Sequence, residues 1–407
     1  MHASKSMYNK IERTLNMVDI GVQIKKTDKE GIPMGKKRLA VIGLSLCLVA
    51  SLAGCGSKGD TAESAASIET LTWESIPETG NDAAVEESEE EIPAGEIPEG
   101  MYLSELTGEP ISEEIKNQRP VAVMIDNEVT ALDHYGVAEA DIVYEMMNST
   151  KNNRITRLMA VVKDWDAIEQ LGSIRSTRPT NILMMAEYNA VLIHDGGPFY
   201  IDEYLKNDYA DHLSGGFARV KNGKAYEFTE YVTKGEVADR LKAAKIDTEY
   251  NQYKPDSDFH FNFTGWGTEV TLDDSQIKAN TVKPCFPHNE STLKYNEDTQ
   301  TYDYYEYGKV HKDGEDGDVL TFDNVILMSC PFQQFDEGGY MMYNCLTSNQ
   351  KGYYVTKGKA VPITWSKNAA TDRTRYYDED GKEITINTGK TYIALCPDDT
   401  WSKTVIE

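Results

Sequence analysis

Four short apolar runs in the middle of the chain restrict its fold more than any other sequence feature. They read RPVAVMIDN from Arg119, ADIVYEMM from Ala140, ITRLMAVVKD from Ile155 and AVLIHDGG from Ala190. Each run is rich in Val, Ile, Leu or Met and is bounded by polar turn residues, which is typical of buried strands. We therefore expect a sheet with a core on at least one of its faces.

Helical patterns lie among these strands. The segment PTNILMMAEYN begins at Pro179 and has apolar residues at helical spacing, and further helices are predicted at 198–208 and 233–246. In the last of these, Thr233 is the predicted N-cap and Glu236 completes a capping box. Strands alternating with helices predict an α/β domain over residues 101–255.

The pattern changes in the second half of the chain. Short β-branched and aromatic runs are separated by Gly, Asn and Asp at intervals of about ten residues, with hairpin turns expected at Lys357-Gly358 and Asp380-Gly381. This predicts a β-rich second domain over residues 256–407, either a sandwich or a partly open barrel. Tyrosines alternate in TYDYYEYGK (301–309), where we expect packing rather than a platform for sugars.

An export signal precedes these domains. From Met34, three basic residues are followed by the 15-residue apolar run Leu39–Ala53, shorter than the ~20 residues that a membrane-spanning helix needs. Residues 34–54 are therefore a predicted signal peptide, and residues 1–33 are a short extension or reflect a misassigned start, so that Met1 and Met34 both stay open. The sequence LAGC resembles the lipobox of bacterial lipoproteins, which implies lipidation of Cys55 and an anchor on the outer face of the cytoplasmic membrane.

A strongly acidic segment separates the signal from the strands. Residues 59–115 contain 17 acidic residues and no basic one, so residues 55–100 are predicted to be a disordered tether. The whole chain has 41 basic and 67 acidic side chains, a net charge of −26, which argues against a nucleic-acid partner.

Several of these motifs together resemble a known family. The lipobox, RPVAVMIDN, EADIVYE, GSIRSTRP (172–179), AVLIHDGGP (190–198) and the late Gly-Lys hairpins are similar to the YerB-type lipoproteins, which contain two adjoining DUF3048 domains. The resemblance implies an exported lipoprotein with an α/β domain followed by a β-rich domain, and it implies no reaction. The family usually has GPVRSARP and His-x-Gly-Gly-Ser-Pro, so a mechanism that uses the serine hydroxyl of the second motif would not carry over.

The turn before the Pro179 helix is the first candidate site. Arg175 and Arg178 flank Ser176 there, and two guanidinium groups beside backbone N–H groups suit phosphate, sulfate or a carboxylate. The alternative is that these arginines pair with structural carboxylates such as Asp126 or Glu145. Both interpretations stay open at this stage.

His194 is the second candidate. It ends a predicted strand and is followed by Gly196 and Gly197, and ligands usually bind at strand ends in α/β sheets. His194 is thus a candidate general base, although a histidine bonded to backbone in a tight turn explains the pattern equally well. Asp126, Asn127 and Glu145 are weaker candidates at neighbouring strand positions.

The sequence gives no support for a metal or a cofactor. It contains no HExxH and no pair of CxxC motifs, and the acidic segment DGEDGD (313–318) lacks EF-hand spacing. We therefore predict neither. The remaining cysteines of the β-rich half form one or two disulfides or are buried thiols, and these are Cys285, Cys330, Cys345 and Cys396.

These observations favour a lipid-anchored protein that binds an anionic small molecule or a cell-envelope polymer in a cleft of the α/β domain. The predicted ligand-binding residues are Arg175, Ser176, Arg178, His194, Gly196, Gly197 and Asp126. One alternative is an envelope enzyme that cleaves a phosphodiester or glycan with the arginine pair and His194. The other is a scaffold lipoprotein without a small-molecule site.

Overall fold

The computed structural model describes residues 95–273 and 276–407. The predicted extension, the signal peptide, Cys55 and nearly all of the acidic tether lie outside these residues. No helix in the described ranges has the length and apolar character needed to span a bilayer.

The described chain is rich in strands and contains three α-helices, α1 to α3. The helices are Pro179–Met185, Asp202–Leu205 and Glu236–Ala244. Strands β1 to β12 are Met101–Leu103, Pro110–Ser112, Val121–Asp126, Ile142–Met147, Thr156–Val162, Gln170–Gly172, Val191–His194, His212–Ser214, Ala218–Arg219, Glu230–Thr233, Ile277–Lys278 and Thr281–Lys283. Strands β13 to β24 are Thr292–Asn296, Thr301–Glu306, Lys309–Val310, Thr321–Phe322, Asn324–Cys330, Phe332–Gln334, Met341–Tyr343, Thr347–Thr356, Lys359–Lys367, Arg375–Tyr377, Thr391–Pro397 and Val405–Ile406.

Short 3₁₀ helices complete the secondary structure. They are Glu113–Ile115, Val129–Ala131, Val137–Glu139, Ala186–Tyr188, Phe199–Ile201, Tyr226–Phe228 and Asp398–Lys403.

One sheet of eleven strands forms the centre of the fold. Its order is β11-β21-β20-β17-β23-β4-β5-β3-β7-β8, and β22 pairs with β21. Strands β17, β23, β4, β3, β7 and β8 all point in the same direction, and β5 runs against them between β4 and β3. The carboxyl ends of six strands therefore lie at one edge of the sheet.

The four predicted apolar strands are confirmed as β3, β4, β5 and β7, which are neighbours in this sheet. The two halves of the chain are more closely joined than two separate domains would be. Strand β23, from the second half, lies between β17 and β4 and is parallel to both. Every residue of β23 is buried, so the strand needs a neighbour along each edge and cover on each face. The domain limits near residue 255 stay a prediction.

The central sheet is covered on both faces. A six-stranded sheet, in the order β15-β14-β13-β12-β24 with β16 beside β14, packs Tyr304 and Phe322 against Val325 and Tyr392 on one face. Helix α1 packs against the opposite face, where its apolar residues join Met124 and Leu192 in a second core. The predicted packing role of the tyrosines is confirmed for Tyr302 and Tyr304, which are fully buried.

Three local predictions have different outcomes. The hairpin turns at Lys357-Gly358 and Asp380-Gly381 are confirmed. The N-cap prediction is wrong, because α3 is capped by Gly235, whose φ of 77° is left-handed, while Thr233 remains the last residue of β10. Glu236 instead accepts hydrogen bonds from the Thr233 backbone N–H and hydroxyl. The four cysteines of the β-rich half are buried thiols.

Candidate arginine site at the carboxyl edge of the sheet

The predicted site residues lie at the carboxyl edge of the central sheet. Strand β3 ends there at Asp126 and β7 ends at His194. The loop before α1 crosses this edge, because the Arg175 N–H donates to the Met124 carbonyl (2.9 Å) and the Thr177 N–H donates to the Gly196 carbonyl (3.1 Å). The arginine turn and the glycine turn are thus direct neighbours.

Arg175 is held by carboxylates. Its Nε lies 2.5 Å from Oδ2 of the buried Asp126, and its Nη2 lies 2.9 Å from Oε2 of Glu227. The guanidinium also stacks over the ring of Phe228 at 5.4 Å. The contacts of Arg175 therefore match the alternative interpretation, in which it pairs with structural carboxylates.

Arg178 has no carboxylate partner among the described residues. Its side chain is buried and donates to carbonyl and hydroxyl oxygens, namely the Asn148 carbonyl (3.1 Å), the Thr177 carbonyl (2.8 Å) and Ser176 Oγ (3.2 Å). These neutral acceptors orient the guanidinium but do not balance its charge.

A second buried arginine, Arg157, lies beside it. Nη1 of Arg157 donates to the carbonyl and the hydroxyl of Ser176, both at 2.7 Å, and to Asn148 Oδ1 at 3.3 Å, while its Nε has no hydrogen-bond partner in the described chain. Ser176 is thus shared by two arginines. Sequence reasoning missed Arg157 because a single Arg near the start of an apolar run resembles an ordinary strand end.

The pKa values of Arg157 and Arg178 indicate that their surroundings do not fully compensate the cost of burying their charges. Burial, together with the charges of Arg157 and Arg175, lowers the pKa of Arg178 to about 9. Burial also lowers the pKa of Arg157 to about 10, with Asp126 acting in the opposite direction. Both guanidiniums therefore stay protonated at neutral pH.

An aromatic patch borders the arginines, formed by Phe199, Tyr200, Phe335 and Tyr340. The Tyr340 ring lies 5.1 Å from the Arg178 guanidinium, and the Tyr200 ring stacks on Phe335 at 4.4 Å and lies tilted against Phe199 at 4.0 Å. Phe199 is 72 % exposed and Tyr340 is 38 % exposed. The patch combines residues from both halves of the chain and remains accessible to solvent.

The His194 side chain forms its hydrogen bonds with Gly196 and His212 and not with the neighbouring arginines. Its Nδ1 lies 2.8 Å from the Gly196 carbonyl and its Nε2 lies 3.1 Å from Nδ1 of His212, so both ring nitrogens are engaged. Burial lowers the pKa of His194 to about 4. A neutral imidazole with both nitrogens occupied is poorly suited to proton transfer.

The two glycines after His194 have different roles. Gly196 has a φ of 69°, so its left-handed backbone favours glycine. At Gly197, a Cβ atom would come within 2.4 Å of Ile201 Cδ1 and 3.2 Å of the Thr177 carbonyl oxygen, so a larger residue would require Ile201 to move.

The other sequence candidates are structural or lie elsewhere. Glu145 is buried beneath the six-stranded sheet and accepts hydrogen bonds from six side chains, so it is not free to bind a ligand. These donors are Asn127, Thr156, Asn289, Ser291, Tyr304 and Tyr392. A cavity of about 660 Å³ lies between Arg154, Cys285 and Thr400 and includes none of the predicted site residues.

Comparison with known proteins identifies the family. Residues 106–249 match the family model described as "Protein of unknown function (DUF3048) N-terminal domain", and residues 281–393 match the corresponding C-terminal domain model. The chain belongs to the DUF3048 family. A Bacillus subtilis (strain 168) relative named "Putative lipoprotein YerB" is 24 % identical over 310 residues, which cover 72 % of this chain and 86 % of the relative.

The crystal structure of the Bacillus subtilis YerB protein has the same fold. It superposes with a TM-score of 0.64 at 20 % sequence identity, covering 75 % of this chain and 99 % of the YerB chain. The expected resemblance to YerB-type members of the DUF3048 family is therefore confirmed.

Proposed function

We propose that this protein is anchored to the outer face of the cytoplasmic membrane through Cys55 and binds an anionic group of a cell-envelope polymer or small molecule at Arg157 and Arg178. The observation that carries the proposal is the pair of buried guanidiniums that meet at Ser176 without a carboxylate partner among the described residues. The lipidation motif and the lipoprotein name of the Bacillus relative support the anchor.

An external anion would balance this pair. A buried charge is costly unless it is paired, and the guanidinium fork offers two parallel donors that match phosphate or carboxylate oxygens. Arg175 already has two carboxylate partners. A pure scaffold would be expected to pair all three arginines with carboxylates, whereas here only Arg175 lies within ion-pair distance of a carboxylate in the described chain.

The aromatic patch points to the kind of molecule that carries the anion. Exposed aromatic rings beside a cationic site suit a molecule that has an apolar or sugar-like surface next to its charge. We therefore favour a phosphate-bearing glycan or polyol polymer over a bare inorganic anion. Enzymatic cleavage is not part of the proposal, because both ring nitrogens of His194 are occupied.

Binding can be measured by calorimetry with poly(glycerol phosphate) and, separately, with inorganic phosphate. We expect the polymer to bind more tightly, and Arg178→Gln or Arg157→Gln to weaken binding by about tenfold or more. Arg375→Gln is the matched control, because it removes the same charge from an exposed pair with Glu383. Equal effects of all three variants would mean that only net charge matters and would contradict the site.

A further inference from the structure

A second group of polar side chains is buried under the six-stranded sheet and plays no part in the proposed anion site. Three of these side chains lie close together, namely His134, Glu306 and His311. One nitrogen or oxygen atom from each lies within 4.8 Å of those from the other two. We call this group the His–Glu–His cluster. All three side chains are at least 98 % buried.

Local structure explains how two of the three residues meet. Strand β14 buries alternate residues, so that Tyr304 and Glu306 point to the same side. A tight turn at Tyr307-Gly308, with φ of 48° and 75°, folds β15 back onto β14, and the His311 N–H donates to the Tyr304 carbonyl at 2.8 Å. The turn thus places the His311 ring beside Glu306.

His134 reaches the cluster from the loop after β3. Its Nε2 lies 2.6 Å from the Asp126 carbonyl oxygen, which can only accept, so Nε2 carries the proton and Nδ1 presents a lone pair. That lone pair faces the cluster, because Nδ1 lies 3.0 Å from His311 Nε2 and 3.9 Å from Glu306 Oε1.

The protein alone does not satisfy this cluster. Neither carboxylate oxygen of Glu306 has a hydrogen-bond partner within the described ranges, and neither does Nδ1 of His311. A hydrogen bond between the two imidazoles would use one nitrogen of each ring and would still leave Glu306 unbonded. A buried carboxylate without donors is costly, and a bound cation would compensate that cost.

We propose that the His–Glu–His cluster binds one divalent transition-metal ion of the zinc class. Two imidazole nitrogens and one carboxylate oxygen are a familiar ligand set for Zn²⁺. At bond lengths of about 2.0–2.1 Å, tetrahedral ligand atoms lie about 3.3 Å apart, and the three distances here are 3.0, 3.7 and 3.9 Å.

One further observation supports the metal site. The hydrogen bond from His134 to the Asp126 carbonyl is the type of second contact that orients a metal-ligating histidine. This proposal departs from the sequence-based expectation of no metal. His134 and His311 are 177 positions apart in the chain, so sequence spacing could not predict that they meet.

The test is a metal titration of the purified full chain after extended treatment with a chelator, in phosphate-free buffer. We expect one Co²⁺ per chain with the intense visible absorption of a low-coordinate site, displacement by one equivalent of Zn²⁺, and a higher melting temperature with Zn²⁺. Glu306→Gln and His311→Gln should each weaken binding by about 100-fold or more. His288→Gln is the matched control, since His288 lies outside the cluster and its Nδ1 contacts the Asn152 carbonyl.

Two results would overturn the proposal. One is a wild-type chain that binds no Co²⁺ at micromolar concentration, or binds it only with the weak spectrum of a hydrated octahedral ion. The other is unchanged affinity in both cluster variants while their circular dichroism matches that of the wild type. Should the variants fail to fold, the stoichiometry and spectrum of the wild-type chain still decide. Because these measurements contain no anionic ligand, they are independent of the arginine site.

Discussion

Two buried glutamates on opposite sides of the same core have contrasting surroundings. Glu145, on the central sheet, accepts hydrogen bonds from six side chains, whereas Glu306, on the covering sheet, accepts none within the described chain. Burial, followed by the charge of Glu145, raises the pKa of Glu306 well above its ordinary value. The contrast indicates that Glu145 is part of the architecture, whereas no described residue donates a hydrogen bond to Glu306.

The cationic groups divide in the same way. Lys367 is fully buried and its Nζ lies 2.9 Å from Oε2 of Glu187, so its charge is balanced within the fold. Arg157 and Arg178 are also buried, but their hydrogen-bond acceptors in the described chain are all neutral. Charges that the fold balances hold it together, and charges that it leaves unbalanced are the better candidates for binding.

The largest predicted effect on stability is that of replacing Glu145, whose carboxylate accepts hydrogen bonds from six side chains. Glu145→Leu would leave several buried donors without an acceptor, so we expect a loss of about 4 kcal/mol in the free energy of unfolding. Tyr392→Phe is the graded comparison, since it removes only the donor 2.6 Å from Oε2 and should cost about 1 kcal/mol. Urea denaturation followed by circular dichroism measures both, and equal losses would contradict the idea of a shared acceptor.

The buried ion pair comes next. Lys367→Met would leave Glu187 charged and buried beside Thr374 and Tyr144, at an expected cost of about 3 kcal/mol. Burial alone would raise the pKa of Glu187, but Lys367 and His260 bring it below its ordinary value. The double variant Lys367→Met with Glu187→Leu should be more stable than the single variant. A double variant that is less stable would show that the pair does not act as a unit.

The next effect depends on pH. His194 has a pKa of about 4 when folded, against about 6.5 in an unfolded chain, because burial disfavours its charged form. Below pH 6.5 the unfolded chain therefore binds a proton that the folded chain does not, and stability falls as the pH drops from 6.5 to 4. At pH 5 this amounts to about 2 kcal/mol. The stability difference between wild type and His194→Gln, measured in urea at pH 7 and pH 5, should change by that amount. A pH-independent difference would mean that His194 has the same pKa in the folded and the unfolded protein.

Some of this organisation could be read from local sequence and some could not. Runs such as VAVMID and TRLMAVV predict their own strands because their residue types suit a buried sheet wherever it forms. The position of β23 between β17 and β4 depends on a parallel pairing between strands about 250 residues apart. The apolar residues of each strand do not specify which distant strand it pairs with or in which register.

The site residues divide in a similar way. Arg178 stands out in the sequence because it precedes a helix-initiating proline, and Ser176 is conspicuous beside it. Arg157 and His311 are ordinary polar residues in their local context, and only tertiary contacts show that each is buried with a nitrogen that has no hydrogen-bond partner in the described chain. Burial of a polar side chain is a property of the fold, so a local pattern cannot reveal it.

A smaller effect is expected where an arginine is already paired. Arg175→Gln should cost about 1 kcal/mol of stability, because its side chain is 25 % exposed and Arg157 still acts on Asp126. Its effect on the affinity for poly(glycerol phosphate) should be smaller than that of Arg178→Gln. Calorimetry of the two variants side by side tests this order. A larger loss of affinity for Arg175→Gln would mean that Arg175 exchanges its carboxylates for the ligand.

The smallest effect on stability is expected at Glu306, and it is the sharpest test of the contrast with Glu145. Glu306→Leu removes a buried carboxylate that has no hydrogen-bond donor in the described chain, so the metal-free protein should change by less than about 1 kcal/mol or become more stable. Adding Zn²⁺ should then stabilise the wild type but not the variant. A loss comparable to that of Glu145→Leu would show that Glu306 has an internal partner after all, and the distinction between balanced and unbalanced buried charge would fail for this pair.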